Sequence, residues 1–143
     1  MTLDVILQAL RSQPGLIDTL GLAFDTSEDG TRVSLTLTPD HQGAPGIAHG
    51  GTVMALLDTA LGFHALKLAL EDGRATSTVE MKTNFLRPAR VGQTLVVRSE
   101  VQARGKSLLV LSGVAEDAGT GERVAFAVGT FNLFGVERLE ARA

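Results

Sequence analysis

The chain has no cysteine, no tryptophan and no tyrosine among its 143 residues. The first absence excludes disulfides, thiolate metal sites and a cysteine nucleophile. The other two leave six phenylalanines as the whole aromatic content, so a pocket must be lined by them and by aliphatic side chains. Charge imbalance is small: 13 Lys and Arg against 16 Asp and Glu give a formal −3, which makes no electrostatic case for nucleic acid or an anionic membrane surface. The N-terminus lacks a basic stretch and carries Asp4 within its apolar part, against a secretory signal. No uninterrupted apolar run reaches the ~20 residues of a membrane span, so a cytoplasmic chain with no membrane partner is expected. The length and an apolar content of 44% suit one domain with a sizeable core.

What is present is concentrated between His41 and Gly62. From Gly50 to Leu66 the only formally charged residue is Asp58. Val53, Leu56, Leu57, Ala60, Leu61, His64 and Leu68 follow the spacing of one helical stripe. The opposite side, through Met54, Ala55, Asp58, Thr59, Gly62 and Ala65, is uncharged apart from Asp58, so the helix is expected to be covered nearly all round. Gly62 costs about 1 kcal/mol of helix propensity relative to alanine, which points to close packing or a functional use. Gly46, Gly50 and Gly51 precede and open this helix. Its first amides lack intrahelical partners and can stabilise an oxygen that gains negative charge.

Gly50 and Asp58 are eight residues apart, roughly 12 Å at the helical rise. One carbonyl can lie within ~3 Å of both an oxyanion donor and an attacking group only if the two come from different helices. A second copy of the chain across a two-fold axis is the simplest source. The expected site is therefore composite and lies at a dimer interface.

Before the helix, residues 3–20 read as two short helical pieces broken at Pro14 and Gly15, docking on a main body of residues 21–143 within a single domain. Residues 21–38 read as a hairpin: Leu22 and Phe24 alternate, Glu28-Asp29-Gly30 marks the turn, and Val33, Leu35 and Leu37 alternate with polar residues. The segment from Pro39 to Ala48 reads as a loop, and Asp72-Gly73 as the helix end. Four strands follow, at 77–86, 94–103, 107–116 and 123–133, with Val79, Met81, Thr83 and Phe85 predicted on one face of the first. The order implies an α+β domain in which an antiparallel sheet of about six strands curls around one long apolar helix.

His49-Gly50-Gly51, Asp58-Thr59-Ala60 after six intervening residues, and the strand Thr78-Val79-Glu80-Met81-Lys82-Thr83-Asn84-Phe85-Leu86-Arg87-Pro88-Ala89 with Gly92 beyond it together resemble the phenylacetate-degradation (PaaI-type) branch of the hotdog-fold acyl-CoA thioesterases. The resemblance covers roughly residues 20–134. It implies hydrolysis of an acyl-CoA thioester, with the Gly50 amide polarising the carbonyl. It further implies that Asp58 of the partner subunit acts as nucleophile or general base, and that the Thr78 hydroxyl helps place the attacking water. It implies homodimers, often paired into homotetramers. Coenzyme A is part of the substrate, and no cofactor or metal is needed. Many relatives carry an asparagine six residues before the motif histidine, where this chain has Gly43; Gln42 beside it could take over the positioning role.

Each residue also has a plainer reading. Asp58 could cap a loop or pair with a buried cation, although charged residues are almost never fully buried unpaired. Gly51 could serve only the tight turn, and His49 could hold the loop instead of taking part in catalysis. Thr78 could be an ordinary strand threonine. Arg87, Arg90, Arg104 and Lys106 lie at strand ends and turns, where they could meet coenzyme A phosphates or form a solvated rim. His41 and His64 are not expected at the site, and no histidine spacing suggests a metal. No serine nucleophile elbow or nucleotide-binding glycine fingerprint is present. The rival readings are a hydratase or dehydratase on the same fold, with His49 facing the carboxylate, and a non-catalytic acyl-CoA binding module.

Overall fold

In a computed structural model, which describes residues 1–25 and 32–140, the elements follow the expected order. Helices α1 (Leu3–Ser12) and α2 (Leu16–Leu20) precede strands β1 (Ala23–Asp25) and β2 (Arg32–Thr36). These two strands are antiparallel, and the Glu28-Asp29-Gly30 turn lies outside the described residues. A 3₁₀ turn at Pro39–His41 leads into a small ribbon, β3 (Gln42–Ala44) and β4 (Ile47–Ala48), where the sequence suggested only loop. Helix α3 (Gly50–Glu71) follows, then β5 (Arg74–Phe85), β6 (Thr94–Arg104), β7 (Leu108–Asp117), β8 (Arg123–Gly135) and a short α4 (Glu137–Glu140). The main sheet has six strands in the order β1-β2-β6-β7-β8-β5, all pairs antiparallel.

Helix α3 is long and apolar enough to cross a membrane by length and composition alone. Here its Leu56, Leu57, Ala60 and Leu61 are fully buried, in one cluster with Val33, Leu35, Val97, Leu109, Leu111 and Phe131 from the sheet. It ends where Gly73 takes φ 64°, a left-handed conformation that favours glycine. The sheet covers one side of the helix only. On the other side Met54 is 37% exposed and Ala55, Asp58, Thr59 and Gly62 are half-buried. The expectation of a helix covered all round therefore fails in the single chain, because one curved sheet can wrap only one flank.

Strand β5 departs from simple alternation. Its register with β8 shifts between Thr78 and Glu80, so Val79 is the extra residue of a β-bulge. Thr78 lies opposite buried Phe131, whereas Met81, Thr83 and Phe85 lie opposite Gly129, Ala127 and Ala125. Directly opposed residues share a face; the residue joining Met81, Thr83 and Phe85 on the helix side is thus Thr78. Val79, predicted there, is instead 57% exposed. A second shift in β6, between Val101 and Ala103, puts Arg104 opposite buried Leu109. Strand β5 also starts earlier than the expected Ser77, at Arg74, because its first residues pair with the end of β8.

The segment joining β5 to β6 is braced from β7. Asp117 Oδ1 accepts the amides of Gly119 and Thr120 at 2.8 and 2.9 Å, and Oδ2 accepts Gln93 Nε2 at 2.9 Å; Gln93 Oε1 in turn accepts the Arg90 amide at 2.7 Å. The Thr120 amide, helped by that of Gly119 and by the Thr120 and Gln93 side chains, holds the Asp117 carboxyl below the ordinary aspartate value of 3.8 against the opposing effect of burial. A depressed folded pKa stabilises the native state above the unfolded value, and the gain is lost as pH falls through the folded one. Thermal unfolding of Asp117→Asn is therefore expected at a lower temperature than wild type at neutral pH. The gap should narrow once the pH drops below 3.8; a gap independent of pH would show that the carboxylate charge is not the source.

Candidate functional site

The His49-Gly50-Gly51 turn is held from several directions. The His49 amide donates to the His41 carbonyl at 2.7 Å, and the His49 carbonyl accepts the Thr52 amide at 2.9 Å. The His49 ring caps the helix, its Nδ1 accepting the Gly51 amide at 2.8 Å. A Cβ on Gly51 would lie 2.9 Å from that nitrogen, so the ring can sit over the amide only because residue 51 is glycine. With the next two amides engaged, that of Gly50 makes no hydrogen bond among the described residues. It faces a cavity of about 370 Å³ bordered by Phe85, Leu86, Arg87 and Ala89. Of the two glycines, Gly50 keeps the free donor.

His41, not expected to matter, anchors this turn. It is 6% exposed; Nδ1 accepts the Thr38 amide and Nε2 lies 2.9 Å from the Leu20 carbonyl. An amide donor on one nitrogen and a carbonyl acceptor at the other assign a neutral ring protonated on Nε2. His41 thus ties the end of α2 to the loop that opens α3. The Thr38 contact is local, three residues back in the same turn, whereas the contacts with Leu20 and His49 join separate segments and no sequence spacing signals them.

Asp58 lies two turns further along α3, half-buried, and Thr78 Oγ1 donates to its Oδ1 at 2.8 Å. The bulge at Val79 makes this bond possible by turning Thr78 toward the helix. Among the described residues no Lys or Arg pairs with Asp58, so the buried salt bridge weighed from sequence does not form in the single chain. The carboxylate borders a second cavity, of about 240 Å³, with Gly62, Phe63, Leu66 and Phe131. The chain thus has one opening at the Gly50 amide and another at the Asp58 carboxylate, separated by about 12 Å of helix.

The remaining candidates divide. Gln42 is committed to its own loop: Nε2 donates to the Pro39 carbonyl at 2.9 Å and Oε1 accepts the Gly46 amide. Arg87 borders the Gly50 cavity while donating to the Arg123 carbonyl at 2.8 Å and lying 3.6 Å from Glu122. Arg90 is exposed on the same side, bridged to Ile47. Arg104 sits at the opposite end of α3, 2.9 Å from Asp72 and 3.8 Å from Glu71, where a cation also complements the helix C-terminus. Lys106 is at that end too, its carbonyl accepting Arg74 Nη1. The four basic residues therefore do not converge; Arg87 borders the Gly50 cavity, and Arg90 is paired with Ile47, which also borders it. Among the described residues no three His, Asp or Glu side chains gather as metal ligands.

Gly43 has a steric reason. A Cβ there would lie 2.9 Å from His49 Cα and 3.0 Å from its ring, so this backbone passes too close to the helix start for any side chain. Gly43→Asn, which restores the residue that the family likeness leads one to expect, should destabilise the protein by about 1–3 kcal/mol through overpacking. Denaturant unfolding compared with wild type checks this; unchanged stability would mean that the loop moves aside freely.

Comparison with known proteins supplies an independent view. The family model of the thioesterase superfamily matches residues 45–124. A predicted esterase of Pseudomonas aeruginosa is 35% identical over 127 residues, 86% of this chain and 90% of that protein. Among solved structures, the Escherichia coli PaaI protein from the phenylacetic acid degradation operon superposes with a TM-score of 0.78 at 24% identity, covering 90% of this chain and 91% of the other. A Bacillus halodurans protein solved with CoA gives 0.76 at 25% identity, covering 91% and 83%.

Proposed function

Because the chain belongs to the thioesterase superfamily and is a thioester hydrolase of the hotdog fold, we propose that it hydrolyses aryl-acetyl, aryl or medium-chain acyl-CoA to the free acid and coenzyme A. The observation that carries this reading is the split between the free Gly50 amide and the Thr78-bound Asp58 carboxylate, each opening on its own cavity. An antiparallel partner helix, packed on the flank that the sheet leaves open, would bring the Gly50 of one subunit to the Asp58 of the other. The CoA held by the Bacillus relative supports the substrate class.

In this reading the Gly50 amide donates to the thioester oxygen as it becomes an oxyanion. Asp58 from the other subunit takes a proton from a water that attacks the carbonyl, or attacks it directly to form a mixed anhydride that a water then hydrolyses to the free acid. Collapse breaks the C–S bond and releases the thiolate, which gains a proton. Thr78 orients the carboxylate, His49 shapes the turn by capping Gly51, and Arg87 and Arg90 border the entrance where CoA phosphates would lie. In this reading the reaction needs no metal or cofactor, and the working unit is a dimer, itself pairing into a tetramer, in the cytoplasm. His49 is a poor candidate for the proton transfers of a hydratase, because its Nδ1 is already spent on the Gly51 amide.

Asp58→Asn should lower thiol release from phenylacetyl-, benzoyl- or octanoyl-CoA by about 10²–10⁴-fold with the oligomer intact. Wild-type rates in that variant would remove Asp58 from the chemistry.

Gly50 is the first residue of α3 and His49 before it has φ −59° and ψ 136°, the conformation tolerated before proline. Gly50→Pro therefore deletes the donor while keeping a residue favoured at a helix start, and should cost about 10²–10³-fold in kcat. When Gly50→Pro and Asp58→Asn chains are unfolded and reassembled together, mixed dimers carry one intact composite site, so about a quarter of wild-type activity should return. No recovery from a mixture shown to contain mixed dimers would place both groups in one subunit.

A further inference from the structure

The cavity at Asp58 is bordered in part by residues that belong neither to α3 nor to the main sheet's long strands. Leu10 of α1, Ile17 of α2 and Phe24 of β1 border it together with Phe63 and Leu66. Phe24 and Phe63 pack as a tilted ring pair with centroids 4.8 Å apart, which makes that part of the wall stiff. The two helices are held more lightly: Leu7 is the single buried residue of α1, and α2 has none among its five. Leu10 lies on the cavity while remaining 40% exposed. Asp58 and Thr78 border the cavity together with Thr59, Thr76 and Ser77, and the rest of its lining is apolar.

We propose that Leu10 and Ile17 form the end wall of the acyl pocket and set the size of acyl group that the enzyme accepts. The inference rests on the thioesterase reading above and adds to it the residues that select the substrate. A volume of about 240 Å³ corresponds to about eight water-sized groups at the ~30 Å³ each takes in a liquid, the scale of a phenylacetyl or octanoyl group. The wall, unlike α3 and the sheet, can change side-chain size without opening a hole in the main core, because Leu10 is partly solvated. It is the part of the pocket where size can be altered at least structural cost.

The test has two arms. In the first, kcat/KM is measured for butyryl- to dodecanoyl-CoA and for phenylacetyl-CoA with wild type, Leu10→Ala, Leu10→Phe and Ile17→Ala. One methylene in an apolar pocket discriminates by about tenfold or more. The ratio of long-chain to short-chain kcat/KM should therefore rise at least about tenfold in the two alanine variants and fall in Leu10→Phe. An unchanged profile in folded, active variants overturns the proposal.

The second arm does not depend on catalysis. The chain has neither tryptophan nor tyrosine, so Leu10→Trp introduces a single indole whose emission reports on the cavity. Octanoate and phenylacetate should shift that emission saturably, whereas Val5→Trp, at a position 55% exposed on the same helix, should not respond. Silence at Leu10→Trp toward both acids overturns the proposal. If wild type releases thiol from no thioester while the indole responds to the acids, the proposed function falls and the end wall stands. If thioesters are hydrolysed but neither profile nor emission changes, the end wall falls and the function stands.

Discussion

The constraint on which the rest of the molecule depends is the burial of α3. Twenty-two residues with almost no charge must be removed from water, and each fully buried leucine or valine contributes about 1.5–3 kcal/mol when they are. The six-stranded sheet does this by presenting the inner residues of β2, β6, β7 and β8 to Leu56, Leu57, Ala60 and Leu61. A single layer has only one concave side, so the flank carrying Met54 and Asp58 is left with partial cover. In the proposed dimer a second subunit would complete that burial, and the groups with chemical potential lie along it.

Two local irregularities decide how the flank is furnished. At the helix start, three glycines allow backbone and ring to pack where side chains would collide: Gly43 against His49 Cα, Gly51 beneath the His49 ring, and Gly50 with its amide left over. In β5, the extra residue Val79 reverses the alternation, bringing a hydroxyl to the carboxylate of Asp58. The bulge costs a regular ladder position and exposes a valine, a trade found where a strand must re-aim a side chain. His41 joins these features to the end of α2, its ring meeting the Leu20 carbonyl and the amide of nearby Thr38 while its carbonyl accepts the His49 amide. The turn at α3 and the wall of the Asp58 cavity are therefore parts of one connected structure.

Much of this was legible without coordinates. Helical spacing from Val53 to Leu68 and the alternation of Val33, Leu35 and Leu37 follow from the periods of helix and strand; the stripe is buried from Val53 to Leu61, beyond which Phe63 and Ala65 are buried while His64 and Leu68 are half-buried, and Val33, Leu35 and Leu37 are all buried. Asp58 stood out because a lone charge in an apolar helix requires an explanation, and Gly50 because a glycine at a helix start leaves an amide accessible. Arg104 and Gln42 show where that kind of reading ends. A basic residue at a strand end and an amide beside a missing asparagine have the right chemistry, but Arg104 faces the far end of α3 and Gln42 closes its own loop.

The sequence by itself determined the class of elements, their order, the apolar helix as the centre of the fold, and the two residues, Gly50 and Asp58, that cannot meet along one helix. Those are consequences of local periodicity and of a fixed rise per residue, which need no knowledge of what packs where. Only the tertiary structure decided that Val79 bulges and hands its place to Thr78, that Gly51 is engaged while Gly50 is free, that His41 is an anchor, and that Leu10 and Ile17 border the Asp58 cavity. Each of these depends on register or on contacts between segments far apart in the chain. A one-residue shift in pairing, invisible in composition or spacing, changes which side chain faces the helix.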